Sequence, residues 1–246
     1  FSFQCVQRMG LVKKLKYYIA AHEVLTSEQF LDLFNYIEDH LGGAVITKLS
    51  ENPDVIVYGG GVDIAPEAYG GKFIKETGQV PFRVRDGFEQ FVYQYSQLVM
   101  EVTPLSIGIC RGAQHLCTFN GGTIEPHVEG HNLCGVSTDD NSEPVIDHQV
   151  QYFGINKKDT FGTRVNSLHH QMMIPPANGK EKHNPYEVLV KTIGNKEDIE
   201  ALWFPKTRCI CVQWHPEYDP ENGSGKLMKR IIEDYGDLWS TESGAR

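Results

Sequence analysis

The sequence predicts an α/β fold with three layers, α/β/α, in which helices cover both faces of a mostly parallel central sheet. Continuous apolar runs at residues 54–58 and 105–109 are typical of strands that are buried on both faces. Segments with apolar residues at helical spacing separate such runs, and this alternation of strand and helix favours a parallel sheet. We expect one domain over residues 10–239, with tails at residues 1–9 and 240–246.

Local signals mark the elements of the first half of the chain. Residues 16–21 form the first predicted strand. Thr26 and Gln29 then match a capping box that opens a helix, which we expect to end at Gly42 and Gly43.

A second helix is predicted from a similar cap, and a different pattern follows it. Asp86 with Glu89 predicts a helix start, and the run at 105–109 leads into a helix at residues 111–119. Between residues 123 and 171, short alternating stretches predict hairpins and loops that lie over the α/β core. A strand at 208–214 and a helix with apolar residues between 227 and 235 complete the chain.

Composition and charge exclude several classes of protein. The 246 residues include 23 Lys and Arg against 32 Asp and Glu, which gives a formal net charge of −9. This balance argues against non-specific nucleic-acid binding, which needs clustered basic residues. No apolar run approaches the roughly 18 residues of a membrane span, and we expect no signal peptide. We therefore expect a cytoplasmic chain whose six cysteines are reduced, with Cys209 and Cys211 packed on one face of a strand.

Three predicted strands end in unusual loops, at residues 59–61 (GGG), 110–112 (CRG) and 215–217 (HPE). Parallel strands present their carboxyl ends at the same edge of a sheet, where open α/β proteins bind their ligands. We expect these three loops to meet and to form the functional site.

Residues 108–112 have the form of a nucleophile elbow, with Cys110 at the centre. Gly108 and Gly112, two residues before and after it, relieve the crowding of a sharp strand-to-helix turn. Such a turn exposes the sulfur at a helix N-terminus, where the helix dipole favours a thiolate. Taken alone, the pentapeptide is equally compatible with a buried cysteine at the end of a strand.

His215 follows the last predicted strand, and Glu217 lies two residues further on. In an extended segment these side chains share a face, so the carboxylate can hold one imidazole nitrogen while the other faces the thiol. This is the nucleophile, base and orienter pattern of a catalytic triad. Alone, the His-Pro-Glu sequence is more typical of a surface turn.

The glycines at 59–61 suit an oxyanion hole. A tetrahedral intermediate needs donors aimed at its oxygen. The backbone N–H of Arg111, which follows the nucleophile, can supply one donor, and the glycine loop can supply another because its backbone can approach closely. A flexible turn is the alternative interpretation of the three glycines alone.

Together these segments resemble the class I glutamine amidotransferase family, whose members hydrolyse glutamine and γ-glutamyl amides with a Cys–His–Glu triad. The matching segments stand in the family's order and are GGGVDIAPEAYG (59–70), GICRGAQ (108–114), VNSLHHQ (165–171) and QWHPEY (213–218). The RGAQ sequence after the cysteine, and the pair Arg85 and Asp86, are more similar to the peptidase C26 branch of stand-alone γ-glutamyl hydrolases, such as γ-glutamyl-GABA hydrolase.

The resemblance implies a flavodoxin-like sheet and specific roles for residues. It implies Cys110 as nucleophile, His215 as general base and then acid, and Glu217 as the residue that orients the imidazole. It implies an oxyanion hole built from the N–H of Arg111 and that of Gly60 or Gly61. Contacts to a small γ-glutamyl substrate are expected from Gln114, Asn166, Ser167, Leu168 and His169.

Three functions remain open at this point. We favour hydrolysis of the γ-amide of glutamine, or of a γ-glutamyl amide, through a thioester. The alternatives are a glutaminase subunit that delivers ammonia to a separate synthetase, and a non-catalytic binding module. The chain has no glycine-rich phosphate-binding motif, and we expect no cofactor.

We also expect no metal site. His127, Glu129, His131 and Cys134 lie close together in sequence, but their order is not that of a helical zinc motif. His169 and the following His170 have no nearby acidic residue to orient them, so we expect substrate contact or a structural role for both.

Overall fold

The computed structural model describes residues 14–71, 81–129, 131, 147–154, 159–177, 185–194 and 198–236. Both expected tails lie outside the described residues, as do Cys5 and Cys134. Within the described ranges, no helix is both long enough and apolar enough to cross a membrane.

Eleven strands and four α-helices build the described part of the chain. The strands are β1 (Lys16–Ile19), β2 (Ala44–Ile46), β3 (Val55–Tyr58), β4 (Leu105–Ile109), β5 (Thr123–Glu125), β6 (Asp147–Tyr152), β7 (Phe161–Asn166), β8 (Met172–Ile174), β9 (Glu187–Thr192), β10 (Ile199–Phe204) and β11 (Cys209–Val212). The helices are α1 (Ser27–Asn35), α2 (Arg83–Leu98), α3 (Arg111–Phe119) and α4 (Gly223–Gly236).

The central sheet has a parallel half and an antiparallel half. Its order is β2-β1-β3-β4-β11-β10-β9-β6-β7. The first five strands are mutually parallel, in the order of a flavodoxin-like sheet. Every pairing from β11 onward is antiparallel. The α/β prediction is confirmed, whereas the sequence did not predict the antiparallel extension.

The described parts of the segment 123–171, which we expected to lie over the core, are placed differently. Strands β6 and β7 pair with each other, and β6 pairs with β9, so this hairpin extends the central sheet. Val150 and Tyr152, at alternate positions of β6, are fully buried, as expected for a strand with one face in the core. Strands β5 and β8 form a separate two-stranded sheet.

Helices cover both faces of the central sheet, which confirms the three-layer architecture. On one face, Leu33 of α1 and Ile231 of α4 pack with strand residues such as Ile107. On the other face, Val92 of α2 and Leu116 of α3 belong to a second apolar cluster. The parallel strands between these helices are therefore buried on both sides.

Of the two predicted helix caps, the first is present and the second is not. Thr26 and Gln29 form the capping box: the Gln29 N–H donates to Thr26 Oγ1 at 3.2 Å, and the Thr26 N–H donates to Gln29 Oε1 at 3.4 Å. Helix α2, however, begins at Arg83. The cap predicted from Asp86 and Glu89 is wrong because both carboxylates lie inside the helix and are buried in ion pairs.

The three predicted loops leave the sheet at the same edge. Tyr58 pairs with Gly108, and Ile109 pairs with Val212, in neighbouring parallel strands. The chain therefore leaves β3, β4 and β11 side by side. This confirms the predicted convergence of the three loops.

Candidate active site

Cys110 lies at a strained turn between β4 and α3. Its backbone angles are φ 51° and ψ −110°, a region that non-glycine residues rarely adopt. A Cβ on Gly108 would lie 2.6 Å from the backbone of Ala113, and one on Gly112 would lie 2.0 Å from the carbonyl oxygen of Tyr58. Both distances are too short for any side chain, so the turn requires the two glycines that suggested an elbow.

The cysteine also stands at a helix N-terminus. Helix α3 begins at Arg111, and the Cys110 side chain is largely buried. The Cys110 N–H donates to the carbonyl oxygen of Val212 at 2.8 Å, which fixes the turn to the neighbouring strand. Amides in the first helical turn have no partner within the helix and carry the positive end of its dipole. The Arg111 N–H is therefore a donor suited to a negative atom beside the sulfur.

The other described cysteines have a different environment. Cys117, Cys209 and Cys211 are fully buried in the apolar cluster between the sheet and the helices α2 and α3, and Cys209 and Cys211 share one face of β11 as predicted. Burial raises the pKa of Cys117 to about 12 and that of Cys209 to about 11. These thiols are protonated core side chains at neutral pH.

His215 lies between a carboxylate and the Cys110 sulfur. His215 Nδ1 is 2.8 Å from Glu217 Oε1, and the imidazole is also hydrogen-bonded to the Cys110 side chain. Burial alone would lower the pKa of His215, but its interactions with Glu217 and Cys110 raise that pKa well above its ordinary value. These two contacts therefore favour the charged form of the imidazole next to the Cys110 sulfur.

Three further contacts fix the backbone and the ring of His215. Asn166 Nδ2 donates to the His215 carbonyl oxygen at 2.7 Å, and the His215 N–H donates to Asn166 Oδ1 at 2.8 Å. The Tyr218 ring stacks on the imidazole with a centroid separation of 4.7 Å. A Cβ at Gly60 would lie 2.5 Å from His215 Cε1, so the ring can approach the loop only because this residue is glycine.

Arg85 orients the glycine loop. Its Nη1 donates to the Gly60 carbonyl oxygen at 2.8 Å, and its Nη2 donates to the Gly59 carbonyl oxygen at 2.7 Å. In a trans peptide the C=O and the following N–H point in opposite directions, so the amides of Gly60 and Gly61 point away from Arg85. These are the two amides that the family resemblance implied for the oxyanion hole.

A buried set of charges, which we call the elbow network, lies behind the turn and comprises Arg85, Asp86, Glu89, Arg111 and His115. Arg85 Nε donates to Glu89 Oε1 at 2.8 Å, and Arg111 Nη1 donates to Glu89 Oε2 at 2.5 Å. Arg111 also pairs with Asp86, and His115 Nδ1 lies 2.8 Å from Glu89 Oε2. Burial raises the pKa of Glu89, but the two guanidinium groups outweigh it and hold that pKa far below its ordinary value. The network thus ties the glycine loop to the start of α3.

The segment 166–169, which we expected to contact the substrate, is held by hydrogen bonds to other parts of the chain. Ser167 Oγ donates to the His131 carbonyl oxygen at 2.7 Å, and the His169 N–H donates to the same oxygen at 3.2 Å. The side chains of Ser167 and His169 are buried, whereas that of Leu168 is exposed. These contacts hold the segment next to His215 through Asn166.

Gln114 is anchored in a similar way. Its Nε2 donates to the carbonyl oxygen of Gln171 at 2.9 Å, and its N–H donates to the carbonyl oxygen of Cys110 at 3.1 Å. Gln114 therefore links the helix that begins at the cysteine to the chain that follows the substrate segment.

The expectation that His169 and His170 have no acidic partner is wrong. His170 Nε2 lies 2.9 Å from Asp63 Oδ1, and this hydrogen bond raises the pKa of His170. His169 Nε2 lies 3.7 Å from Glu200 Oε1. Both acidic residues are distant in sequence, which is why a local search did not find them.

The elbow network and the stacked ring of Tyr218 were not predicted from the sequence. Arg85 and Glu89, four residues apart on one helix, gave a visible signal of an ion pair. The partner Arg111 lies 22 residues from Glu89, and no local pattern connects them.

Comparison with known sequences identifies relatives of this chain. The profile of the Peptidase C26 family matches residues 36–217. A protein of Schizosaccharomyces pombe named as a glutamine amidotransferase is 26% identical over 190 residues, which cover 75% of this chain and 71% of that protein. A protein of Lactococcus lactis subsp. cremoris named as glutamine amidotransferase-like is 28% identical over 164 residues, which cover 60% of this chain and 81% of that protein.

Solved structures share the fold. A protein of Thermoplasma acidophilum named as a GMP synthase subunit has a TM-score of 0.58 and 12% identity, with 94% of this chain and 98% of that chain covered. PurLQS from Thermotoga maritima has a TM-score of 0.56 and 14% identity, with 90% of this chain and 99% of that chain covered. Because the family profile spans most of the chain, this protein belongs to the Peptidase C26 family of class I glutamine amidotransferase-like proteins.

Proposed function

We propose that this chain is a cysteine-dependent hydrolase that cleaves the γ-amide of glutamine, or of a γ-glutamyl amide, through a γ-glutamyl thioester. The observation that supports this most directly is Cys110 at a strained turn, hydrogen-bonded to His215, which Glu217 holds in place. A reducing, cytoplasmic location suits such a thiol nucleophile.

In the first half of the reaction, the proton of the Cys110 thiol passes to His215, the sulfur attacks the γ-carbonyl carbon and a C–S bond forms. The oxyanion accepts hydrogen bonds from the N–H of Arg111 and from that of Gly60 or Gly61, each donor contributing about 10²–10³ in rate. His215, now protonated, gives its proton to the leaving nitrogen as the C–N bond breaks. The products of this half are a free amine and the γ-glutamyl thioester.

In the second half, the neutral His215 accepts a proton from water as the water oxygen attacks the thioester carbon. The C–S bond then breaks, glutamate leaves, and the protonated imidazole returns its proton to the sulfur. Glu217 supports both halves because its carboxylate at 2.8 Å fixes the imidazole orientation and favours the charged form.

We assign contacts with the γ-glutamyl group to Gln114 and to Asn166, Ser167, Leu168 and His169. Gln114 lies one turn along α3 from Cys110 and bonds to the carbonyl oxygen of that residue. Asn166 is bonded to the backbone of His215. Both segments are thus anchored to the reacting groups, so a substrate held by them has a defined position relative to the sulfur.

The test is a kinetic screen of the full chain against glutamine and a panel of γ-glutamyl amines and peptides, with release of glutamate or amine as the signal. We expect Cys110→Ala to lower turnover by about 10⁴-fold or more, while a folded Cys117→Ala control retains it. Wild-type turnover by the Cys110→Ala variant would contradict the proposal.

Alkylation provides an independent test of the same thiol. We expect iodoacetamide to modify Cys110 in preference to Cys117, Cys209 and Cys211, because the last three are fully buried and protonated. An inert Cys110 would instead favour a non-catalytic binding module.

A glutaminase subunit is the second candidate function. One structural neighbour is named as a subunit of GMP synthase, and a subunit of this kind would pass ammonia to a separate synthetase. Glutaminase activity that rises when a co-purified synthetase is added would support this function. A high rate on glutamine alone, unaffected by any co-purified protein, would count against it.

A further inference from the structure

A second buried carboxylate lies outside the candidate triad and the elbow network. Glu200 in β10 is 0% exposed. Three imidazole nitrogens surround its Oε1: His131 Nδ1 at 3.5 Å, His148 Nε2 at 3.2 Å and His169 Nε2 at 3.7 Å. We call Glu200 and these three residues the histidine cluster.

The polar atoms at the centre of this cluster are not satisfied. Among the residues that the structure describes, neither oxygen of Glu200 and none of the three inward nitrogens has a hydrogen bond of acceptable geometry. A buried carboxylate without a cation is strongly destabilising.

Oxygen atoms lie beside the outward nitrogens of two of the imidazoles. His131 Nε2 lies 3.0 Å from Asp198 Oδ2, and His169 Nδ1 lies 2.9 Å from the carbonyl oxygen of Gln171 and 3.0 Å from Gln213 Nε2. Because the Asp198 carboxylate only accepts, His131 Nε2 carries the proton, and in the neutral ring His131 Nδ1 presents a lone pair. Histidines that bind metals in proteins are held in this manner by carboxylates and carbonyls.

Protonated imidazoles are the alternative source of positive charge, and the packing disfavours them. The His131 ring centroid lies 4.8 Å from that of His169 and 5.1 Å from that of His148. Charging all three rings would place like charges side by side.

We propose that the histidine cluster binds one divalent transition-metal ion, with Zn²⁺ as the best fit, through His131 Nδ1, His169 Nε2 and the Glu200 carboxylate. The ligand atoms of these three residues all lie within 4.8 Å of one another. A tetrahedral zinc site with bonds of about 2.0–2.2 Å has ligand atoms about 3.3–3.6 Å apart. The nitrogen–oxygen separations of 3.5 Å and 3.7 Å are close to this spacing, and a water molecule supplies the fourth ligand.

The site joins segments that the sequence does not bring together. His148 lies on β6, Glu200 on β10 and His169 after β7, while His127 and Glu129, which are close to His131 in sequence, are exposed. This departs from our expectation of no metal, which considered only neighbours in sequence. A bound ion would fix the segment 166–169, and so the contact of Asn166 with His215.

The test is metal binding to the full chain, and its signal does not depend on any enzyme activity. The purified protein is stripped with a chelator, dialysed, and titrated with Zn²⁺ and with Co²⁺. We expect about one bound ion per chain by elemental analysis, the visible absorption of tetrahedral cobalt, and a Tm that rises by about 5–10 °C with Zn²⁺ at about 100 times its Kd.

Substitutions in the histidine cluster test whether the ion binds there. Glu200→Gln and His169→Asn are expected to lose stoichiometric binding and the Tm rise. His170→Asn is the matched control, because His170 is adjacent in sequence but pairs with Asp63, and this variant should bind normally. A folded, metal-free wild type that binds neither ion, or equal binding by His169→Asn and His170→Asn, overturns the proposal. If the cluster variants do not fold, the wild-type titration alone decides.

Discussion

Glu89 and Glu200 are both 0% exposed, but their partners differ. Glu89 accepts hydrogen bonds from Arg85 and Arg111, whose guanidinium groups stay charged at any physiological pH. Glu200 faces imidazoles at 3.2–3.7 Å, and among the described residues its oxygens accept no well-formed hydrogen bond. The first carboxylate is neutralised by the chain itself, whereas the second lacks a cation until one is bound.

The two clusters also support opposite sides of the candidate triad. The elbow network reaches the glycine loop through Arg85 and the start of α3 through Arg111. The histidine cluster reaches His215 through the segment 166–169, and the Gln213 N–H in the same loop donates to the Glu200 carbonyl oxygen at 2.9 Å. Perturbing one cluster should therefore affect the oxyanion side first, and perturbing the other should affect the imidazole side first.

The largest expected effect comes from Glu89→Gln. This change leaves two buried guanidinium groups without their shared carboxylate, and we expect the free energy of unfolding to fall by about 3–5 kcal/mol. Urea unfolding at pH 7 measures it. The matched control is Glu67→Gln, which breaks an exposed pair with Arg83, also at 2.8 Å, and should produce no measurable change. Equal stability of both variants would mean that the elbow network is no stronger than a surface ion pair.

Arg85→Lys is expected to have the next largest effect, which is a fall in the catalytic rate. A lysine cannot hold Glu89 and two carbonyl oxygens with the planar fork of an arginine, so the glycine loop loses its fixed orientation. We expect kcat to fall by about 10–100-fold with a smaller change in KM, since the oxyanion donors are displaced more than the bound substrate. Steady-state kinetics of the folded variant measure this split.

Arg83→Lys is the control for that experiment. Arg83 lies on the same helix but forms an exposed pair with Glu67, so its replacement should leave kcat and KM unchanged. If Arg85→Lys affects stability and leaves kcat intact, then Arg85 supports the fold without positioning the loop.

The features predicted most accurately are those that local signals in the sequence determine. Helix α3 has the predicted bounds, Arg111–Phe119, because an elbow before it and an Asn-Gly-Gly sequence after it mark both ends. Strand β4 also has its predicted bounds, because a continuous apolar run restarts after Pro104. The pairing of Glu217 with His215 followed from a spacing of two residues.

Contacts between distant segments could not be predicted in this way. The partner of Glu89 on α3 and the imidazoles around Glu200 come together only through the order of the strands. The hairpin of β6 and β7 was interpreted as a cover over the core because alternation in one strand does not reveal which sheet it joins. The burial of these two carboxylates therefore could not be predicted from the sequence.

Lowering the pH should reduce the difference in unfolding free energy between the wild type and Glu89→Gln. The pKa of Glu89 is depressed in the folded chain, so its stabilisation is present above the unfolded pKa of about 4.3 and is lost as the pH falls. We expect the difference in unfolding free energy to narrow by about 2 kcal/mol between pH 7 and pH 3. Urea unfolding over a pH series measures it, and a difference that stays constant would show that the Glu89 carboxylate is not the stabilising group.

Glu200→Gln is expected to cause the smallest change in stability, and it tests the difference between Glu89 and Glu200 most directly. In chelator, Glu200→Gln should change the unfolding free energy by only about 1 kcal/mol, or stabilise the chain, because a neutral amide replaces a carboxylate that lacks a cation. With Zn²⁺ present, only the wild type should gain stability, so the order of the two proteins should reverse. Urea unfolding in chelator and in zinc gives both comparisons. A loss of about 3–5 kcal/mol in chelator would instead indicate that protonated imidazoles already neutralise Glu200, as the guanidinium groups neutralise Glu89.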